Sequence, residues 1–497
     1  MKKFASYLTK LPDAEYGVPK PISGLVNYCL DSWWQKIDYR NSKIERVPEE
    51  WVPEDPFSHI RELWIGSELC SAVTLNQQYP KFAKSLNAYA FNQLFCGENA
   101  QYRIVPFLDS YEFKGMLKDS YNCRVQSEQI SISLNTPIVV PVFGNFFVEH
   151  IATGVHLHVK ADFCFEQLGC SLSIMSSPEN QLAIEAFFAA MQSSIILNDI
   201  YYKKCTTFVG GRLDFCAVTK NTWGDVVLKE DIKQHIQDNT VNVLNHSEEL
   251  TSLGMCPNRN MILVSPPGTA KTTIFRAIST EVEGNISRIW CTGKSIGCAD
   301  DVTALFEAAR SLAPCIIFIE DMDLHGGDRL TSDNGRILNE FLACLDGQQE
   351  NAGVVVMAST NDIASMDEAL VNRPGRFDEK IEIPLPDAGD RNLMLRSFFE
   401  KMSALPDESI TPQIWKTVID LTDGLTGAYL SSLAKSTVIR AVSEGRMIIG
   451  DAGSVAFSAG DLNSAAERVI KNYAIGKRAK KHHTYQDSGN VGSGLSP

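Results

Sequence analysis

The sequence predicts an α/β protein whose parallel-sheet core precedes a small helical domain and follows an α+β domain. Three observations predict this arrangement. Met261 to Ile274 joins a four-residue apolar run, a Pro/Gly-rich turn and the start of a helix. Two further apolar runs, 315–319 and 353–358, each lead directly into polar residues. Helical apolar patterns then fill the chain from residue 387 onward. Because buried parallel strands read as continuous apolar runs, the three runs are expected to share one sheet.

Length and charge limit the possible functions. The chain has 497 residues, 44% of them hydrophobic, which is enough for two or three domains with ordinary cores. The net charge of -14 predicts no general attraction to nucleic acid or to an anionic membrane. A nucleic-acid motor is therefore disfavoured, and the N-terminal region shows no basic or base-stacking pattern that would support one.

Cysteine usage and the N-terminus indicate the compartment. The thirteen cysteines form no C-x-x-C pair, which favours thiols in a reducing cytoplasm over disulfides or zinc. Asp13 and Glu15 interrupt the N-terminal stretch before an apolar core forms, so no signal peptide is expected. The most apolar run, 137–148, is shorter than the about 20 residues that cross a bilayer, so no membrane span is expected.

The first domain, residues 1–222, is predicted to be α+β. Alternating patterns predict strands over 129–140 and 154–164, a helix follows over 177–197, and a strand pair over 205–218 is broken by two glycines. On the helix, the predicted apolar positions are Leu182, Ile184, Phe187, Phe188 and Met191. The tryptophans of this region (Trp33, Trp34, Trp51 and Trp64) are interpreted as packing anchors.

Three histidines of the first domain form the one candidate metal group in it. His156 and His158 lie two apart on a predicted strand, and His150 precedes them. A metal would need a third ligand that the sequence does not identify. A solvated strand face is therefore the favoured interpretation.

The Pro/Gly-rich turn has the features of a phosphate-binding loop. Small residues let successive backbone N–H groups point at phosphate oxygens, and a lysine and a hydroxyl serve the β/γ-phosphates and Mg²⁺. The candidate residues are Pro267, Gly268, Thr269, Ala270, Lys271, Thr272 and Thr273. The pattern G-x-x-x-x-G-K-[ST] meets Ser265 at its first glycine and Ala270 at its second, so the loop is irregular. A second G-K-S at 293–295 has an arginine at the first glycine position and is rejected as the phosphate site.

Polar residues after the other two runs complete the expected site. Glu320 and Asp321 follow the first run, where one carboxylate can hold a metal and the other can polarise water. Asn361 follows the second run, at the carboxyl edge where active groups of parallel sheets lie. Arg373 and Arg376 flank a Pro-Gly turn, and the residues alone leave solvated charge and a functional role equally open.

The order of these elements from 223 to 476, about half the chain, resembles the AAA (AAA+) family of P-loop ATPases in its protein-remodelling branch. The resemblance implies a parallel-sheet ATPase core over 223–386, a helical lid over 387–476, and a basic, then Gly/Ser-rich disordered tail over 477–497. It also implies site roles for matching positions: Asp225 and Val226 against adenine, 265–272 as Walker A, 316–321 as Walker B, Asn361 as sensor 1, Arg373 and Arg376 as arginine fingers, and Gly427 and Ala428 as the sensor 2 region.

The same resemblance implies the ligands and the assembly. ATP and Mg²⁺ are the expected cofactors, with Thr272 and Glu320 on the metal and Asp321 as the base. Arginine fingers reach a neighbouring subunit, so a homo-oligomeric ring is implied, usually of six subunits. The Glu-Asp order at 320–321 reverses the usual Walker B order and is similar to that of the mitochondrial branch that translocates folded Rieske protein. The pore loop triplet corresponds to 295–297 and lacks its aromatic residue, which leaves Ile296 and Lys294 to contact a substrate.

These expectations lead to a function and one alternative. The expected function is a ring-forming ATPase that remodels, disassembles or translocates a protein client, with residues 1–222 as the substrate or partner domain. Hydrolysis is expected to be slow because Walker A and Walker B are both atypical. The alternative is a nucleotide-gated oligomeric scaffold with little or no turnover.

Overall fold

The computed structural model describes residues 56–96, 100–105, 125–163, 170–322, 332–346, 351–366, 370, 375–448 and 454–487. The chain divides into two compact units, Met1–Ala217 and Val218–Pro497. This division falls close to the predicted boundary after residue 222. Trp33, Trp34, Trp51 and Arg373 lie outside the described residues.

The first unit contains eight described strands and three described helices. The helices are Pro56–Ile65 (α1), Lys84–Gln93 (α2) and Gln181–Leu197 (α3). The strands are Val73–Tyr79 (β1), Tyr102–Val105 (β2), Gln126–Ser131 (β3), Pro137–His150 (β4), His156–Asp162 (β5), Cys170–Ser176 (β6), Cys205–Val209 (β7) and Arg212–Phe215 (β8).

An antiparallel sheet organises the first unit. Its order is β1-β6-β5-β4-β2, and β3 also pairs with β4. One sheet face packs on α2 and α3 through a core that includes Phe91, Phe146 and Phe187. β7 and β8 pair with each other as an antiparallel hairpin whose two turn residues, Gly210 and Gly211, have φ of 55° and 76°. Two consecutive positive φ angles are what a tight two-residue hairpin turn requires, so the predicted strand pair is confirmed.

The structure corrects three expectations for this unit. The predicted strand 129–140 is the end of β3, a turn and the start of β4, because the alternating pattern runs through the turn. Leu182 on α3 is 78% exposed and does not face the core. His158 is 3% exposed, and burial lowers the pKa of its imidazole to about 3, so this strand face is not solvated. His156 stacks on the buried Trp64 ring at a centroid distance of 4.0 Å, so Trp64 is a packing anchor as predicted.

The second unit is built around a parallel sheet. Its strands are Arg259–Val264 (β9), Ser287–Thr292 (β10), Cys315–Glu320 (β11), Val354–Thr360 (β12) and Glu379–Glu382 (β13). They lie in the order β13-β9-β12-β11-β10, and every neighbouring pair is parallel. The predicted α/β class is confirmed. The three apolar runs thus form adjacent strands, and their carboxyl ends meet at one edge.

Helices on the sheet and a smaller bundle complete this unit. The helices before and around the sheet are Glu230–Asp238 (α4), Val241–Asn245 (α5), Ser247–Ser252 (α6), Lys271–Glu281 (α7), Ala299–Ser311 (α8) and Ser332–Leu345 (α9). The bundle helices are Ala388–Lys401 (α10), Pro412–Leu421 (α11), Gly427–Ser443 (α12) and Ala459–Asp487 (α13). Phe275 on α7 packs against Phe318 in the sheet at a ring distance of 5.1 Å. Among the described residues no helix is both long and apolar enough to span a bilayer.

The bundle, called the lid below (residues 387–487), differs from the all-helical prediction. It also contains a three-stranded sheet of Ala404–Pro406 (β14), Met447–Ile448 (β15) and Ser454–Phe457 (β16). These strands have two to four residues, too few to produce a periodic signal. α13 also continues to Asp487, past the predicted start of disorder at 477, and residues 488–497 lie outside the described part.

Candidate functional site: a phosphate-binding loop between sheet and lid

Three polar segments meet at the carboxyl edge of the sheet. The loop 265–270 follows β9, Asn361 follows β12, Glu320 ends β11 and Asp321 follows it. β12 lies between β9 and β11, which places the asparagine between the loop and the carboxylates. The arrangement is a consequence of three continuous apolar runs in one parallel sheet.

The loop backbone adopts the left-handed conformation at two positions. Gly268 has φ of +85°, and a Cβ placed there would lie 2.7 Å from the Ala428 Cβ and 2.8 Å from the Thr426 Oγ1. Only glycine therefore fits at this position. Ala270 has φ of 73°, a conformation that disfavours residues with a Cβ. The alanine that replaces the second glycine of the loop pattern thus keeps a left-handed backbone.

Lys271 is the first residue of α7 and is only 8% exposed. Its ammonium lies 2.7 Å from the Ser265 carbonyl oxygen, 3.1 Å from the Ser265 hydroxyl and 3.0 Å from the Asn361 Oδ1. A buried ammonium needs such oxygens around it because desolvation is otherwise costly. The predicted lysine and the predicted sensor asparagine are therefore in direct contact.

The two acidic residues occupy different environments. The Glu320 Oε1 is buried and has no hydrogen-bond partner among the residues that the structure describes. The Asp321 Oδ1 accepts a hydrogen bond from the Asn361 Nδ2 at 3.2 Å, and its backbone N–H donates to the Ser359 hydroxyl at 3.3 Å. Burial, and secondly the Glu320 charge, raise the pKa of the Cys291 thiol, which keeps that neighbour protonated.

This set of groups fits a magnesium nucleotide. An orphaned carboxylate oxygen is a ligand that Mg²⁺ would satisfy, and Mg²⁺ sites commonly combine one or two carboxylates with substrate phosphates. Glu320 would hold the metal together with the half-buried hydroxyl of Thr272, one residue into α7. The loop N–H groups and the N-terminus of α7 supply the positive dipole that phosphate prefers. Thr273 lies next on the helix and is also half-buried.

A small pocket adjoins the loop on the lid side, with a cavity volume of about 20 Å³. It is lined by Val227, Leu228, Lys229, Thr269, Ile383, Pro384, Pro386, Asp390, Met394 and Gly427. The lining combines apolar side chains with the polar residues Lys229, Thr269 and Asp390, a mixture that can orient a bound group. Most of these residues are absent from the sequence prediction because they come from three separate loops and two lid helices, α10 and α12.

The predicted adenine residues lie beside this pocket and do not line it. Val226 is 2% exposed and belongs to the core under the sheet. Asp225 accepts hydrogen bonds from the backbone and hydroxyl of Thr222 and forms an ion pair with Lys401 of the lid. These contacts lower the pKa of Asp225 to about 2, with the Lys401 hydrogen bond as the largest cause. The residues that face the pocket follow directly after this pair.

The lid contacts the loop through the predicted sensor 2 residues. The Ala428 N–H donates to the Gly268 carbonyl oxygen at 3.1 Å, and a Cβ placed on Gly427 would lie 3.5 Å from the same oxygen. Thr426 is 5% exposed, and its hydroxyl has no hydrogen-bond partner within the described part of the chain. The prediction that Gly427 and Ala428 lie near the nucleotide loop agrees with this position, and their role in binding stays a prediction.

The predicted arginine finger Arg376 is buried within its own chain. Arg376 is 5% exposed and forms an ion pair with Asp346, with its Nε 2.6 Å from the carboxylate. Its action on a neighbouring subunit therefore stays a prediction, as does that of Arg373.

At the proposed pore position, Ile296 is 2% exposed and Lys294 is exposed. Ile296 is a core residue, so the expectation that it contacts a substrate is wrong.

Comparisons with known proteins are consistent with this geometry. Residues 261–385 match the family model "ATPase family associated with various cellular activities (AAA)", so this segment is similar to AAA ATPase domains. A stretch of 299 residues is 30% identical to the ATP-dependent zinc metalloprotease YME1L1 of Homo sapiens, covering 58% of this chain and 37% of that protein.

Two other relatives give the same result. The ATP-dependent zinc metalloprotease FtsH of Acidothermus cellulolyticus is 33% identical over 262 residues, which is 50% of this chain and 37% of the relative. The chloroplastic FTSH 5 of Arabidopsis thaliana is 30% identical over 288 residues, 54% of this chain and 38% of the relative. The chain thus spans about two fifths of the length of these curated relatives.

Proposed function

We propose that this chain is a ring-forming ATPase that couples ATP binding and hydrolysis to the remodelling of a protein client. The observation that carries the proposal is the run of hydrogen bonds from Lys271 through Asn361 to Asp321 at the carboxyl edge of the sheet. It joins a phosphate-binding cation, a polar orienting group and a carboxylate, and a small pocket lies beside the same loop. The AAA domain match supports the same reading.

Each residue has a chemical role in this proposal. Lys271 binds the β/γ-phosphates, and Asp321 accepts the proton of the attacking water while Asn361 fixes the carboxylate position. Thr272 and Glu320 would hold Mg²⁺, which supplies neutralising charge on the phosphates. Asp321 is one methylene shorter than the usual glutamate, so we expect slow hydrolysis. The reversed Glu-Asp order resembles the Rieske-protein translocase branch, which supports retained activity.

Assembly and client are part of the proposal. Arginine fingers act between subunits, so we propose a homo-oligomeric ring, hexameric as the resemblance implies. The similar relatives are named ATP-dependent proteases, which act on protein, and this supports a protein client for residues 223–476. Residues 1–222 would bind the client or a partner. A cytoplasmic location is proposed from the thirteen cysteines alone.

One observation favours a second function, a nucleotide-gated scaffold with little turnover. Arg376 is buried against Asp346 of its own chain, so in this conformation it is not presented to a neighbouring subunit. A ring whose arginines stay engaged internally would bind ATP and assemble without rapid hydrolysis.

Steady-state phosphate release separates the two functions. Lys271→Ala should abolish both ATP binding and hydrolysis, whereas Lys294→Ala, at the rejected G-K-S sequence, is the matched control and should change neither. Asp321→Asn should retain ATP binding and lose about 10²–10⁴-fold in rate, since general-base catalysis contributes that much. ATP-dependent assembly of the wild-type chain without phosphate release would overturn the ATPase proposal in favour of the scaffold.

A mixing experiment tests whether the arginine acts between subunits. Lys271→Ala protomers cannot bind ATP but carry an intact Arg373, and Arg373→Ala protomers bind ATP but lack this arginine. Each variant alone should be inactive. Mixed rings should recover part of the activity, because an intact site then meets an intact arginine from its neighbour. A mixture as inactive as its two components would contradict action in trans.

A further inference from the structure

The side chain of Ser265 adds a hydrogen-bonding group where the phosphate-loop pattern has glycine. Ser265 follows β9 directly and is 3% exposed. Its hydroxyl contacts two side chains of the same loop, the Thr269 hydroxyl and the Lys271 ammonium. Both of these residues are 8% exposed, so the contacts are shielded from water.

The direction of the hydrogen bonds follows from the available protons. The Thr269 hydroxyl lies 2.8 Å from the Pro266 carbonyl oxygen, which can only accept, so Thr269 donates its single proton there. In the short contact between the two hydroxyls, Ser265 must then be the donor. The lone pairs of Ser265 remain for the Lys271 ammonium at 3.1 Å. The chain of donation therefore runs from Lys271 through Ser265 and Thr269 to Pro266.

The Lys271 ammonium has more hydrogen-bond acceptors around it than it has protons. Lys271 faces the Ser265 carbonyl at 2.7 Å, the Asn361 amide oxygen at 3.0 Å, the Ser265 hydroxyl at 3.1 Å and the Pro266 carbonyl at 3.4 Å. An ammonium has three N–H donors. A phosphate oxygen that approaches it must therefore replace at least one of these acceptors, and the hydroxyl is the acceptor that a glycine would not supply.

We propose that Ser265 is a positioning residue that holds Lys271 against the loop and thereby lowers the affinity of the site for the β- and γ-phosphates. The inference rests on the proposed function, because it needs a nucleotide that reaches Lys271. It predicts a selective effect: ligands with a β-phosphate compete with the Ser265 hydroxyl for the lysine, and a nucleoside monophosphate does not.

Ser265→Ala removes the hydroxyl and keeps the backbone constraint, so it tests the proposal directly. Dissociation constants for ATP, ADP and AMP are measured by calorimetry without Mg²⁺, so that no turnover occurs. ATP and ADP should bind about tenfold more tightly than to the wild type, the effect of about one hydrogen bond to a charged group. AMP should bind with an unchanged dissociation constant. Ser265→Thr, which keeps the hydroxyl, should retain the wild-type values.

A matched control separates this effect from a general loss of buried hydroxyls. Ser279, on α7, is also 3% exposed and lies outside the loop, so Ser279→Ala should leave all three dissociation constants unchanged. Unchanged ATP and ADP binding in Ser265→Ala would overturn the inference alone, as would a parallel change for all three nucleotides. Wild-type protein that binds none of the nucleotides would overturn the proposed function and this inference together.

Discussion

Ala270 offers the sharpest test of the loop geometry, because a single atom group distinguishes it from the glycine of the pattern. Its φ of 73° lies in the left-handed region, which costs a residue with a Cβ about 1–2 kcal/mol. Replacement by glycine removes this cost. Glycine also increases the conformational entropy of the unfolded chain, which lowers the free energy of unfolding by about 0.4–1 kcal/mol. The net expectation is a free energy of unfolding higher by about 0.5–1 kcal/mol, or a Tm rise of about 1–4 °C.

The nucleotide affinity of Ala270→Gly has a separate physical origin. The backbone is left-handed already, so relief of strain acts on folding and does not by itself change binding. Only the methyl group can obstruct a phosphate. Tighter ATP binding or a higher rate would therefore show that this methyl crowds the phosphate.

Calorimetric melting and ATP titration measure the two effects independently. Ser403 is a matched control, because it has φ of 50° and lies in the lid between α10 and β14. Ser403→Gly should raise the Tm by a similar amount and leave ATP affinity unchanged. Gly284→Ala, with φ of +83° and no atom within 4 Å of the new Cβ, should lower the Tm. A lower Tm for Ala270→Gly would refute the strain argument, and unchanged affinity and rate would show that the methyl is harmless.

Three further predictions concern other parts of the chain. Asp225→Asn removes the ion pair with Lys401. Because the folded-state pKa of Asp225, about 2, lies below the ordinary 3.8, the Tm difference from wild type should be constant above about pH 4 and shrink toward zero as the pH falls to about 2. A Tm difference that does not depend on pH would contradict this prediction. The sulfurs of Cys205 and Cys216 lie 3.3 Å apart, so oxidised glutathione should form an intrachain disulfide by two thiol exchanges, detected by peptide mapping and lost in Cys205→Ser. Gly268→Ala places a Cβ 2.7 Å from a lid side chain, so it should lower both Tm and ATP affinity, and an unaltered protein would show that the lid moves away freely.

The parallel core could be predicted because its strands carry a strong local signal. Cys315–Glu320 and Val354–Thr360 each begin with five consecutive apolar residues, and each leads into polar residues of the site. Parallel strands buried on both faces need such composition, so sequence and fold agree closely there. The lid sheet has strands of two to four residues, whose pairing depends on tertiary contacts that no periodicity records.

The candidate site divides in the same way. Lys271, Asp321 and Asn361 could be found because each follows a predicted strand. The lining of the pocket beside the loop could not, since it combines loop residues near 228 and 384 with lid residues near 394, and only the fold brings them together. The burial of Ile296 could not be predicted either. The residue occupies the expected position in the chain, but tertiary packing turns its side chain inward.

The hydrogen bond from the Ala428 N–H to the Gly268 carbonyl gives the second unit a mechanical property. It couples the first turn of α12 to the loop by a single peptide contact. α12 has 17 residues, which corresponds to a rod of about 25 Å. A rotation of about 10° at this contact would displace the far end of the rod by about 4 Å. A small rotation at the loop end of α12 thus corresponds to a displacement of several ångströms at its far end.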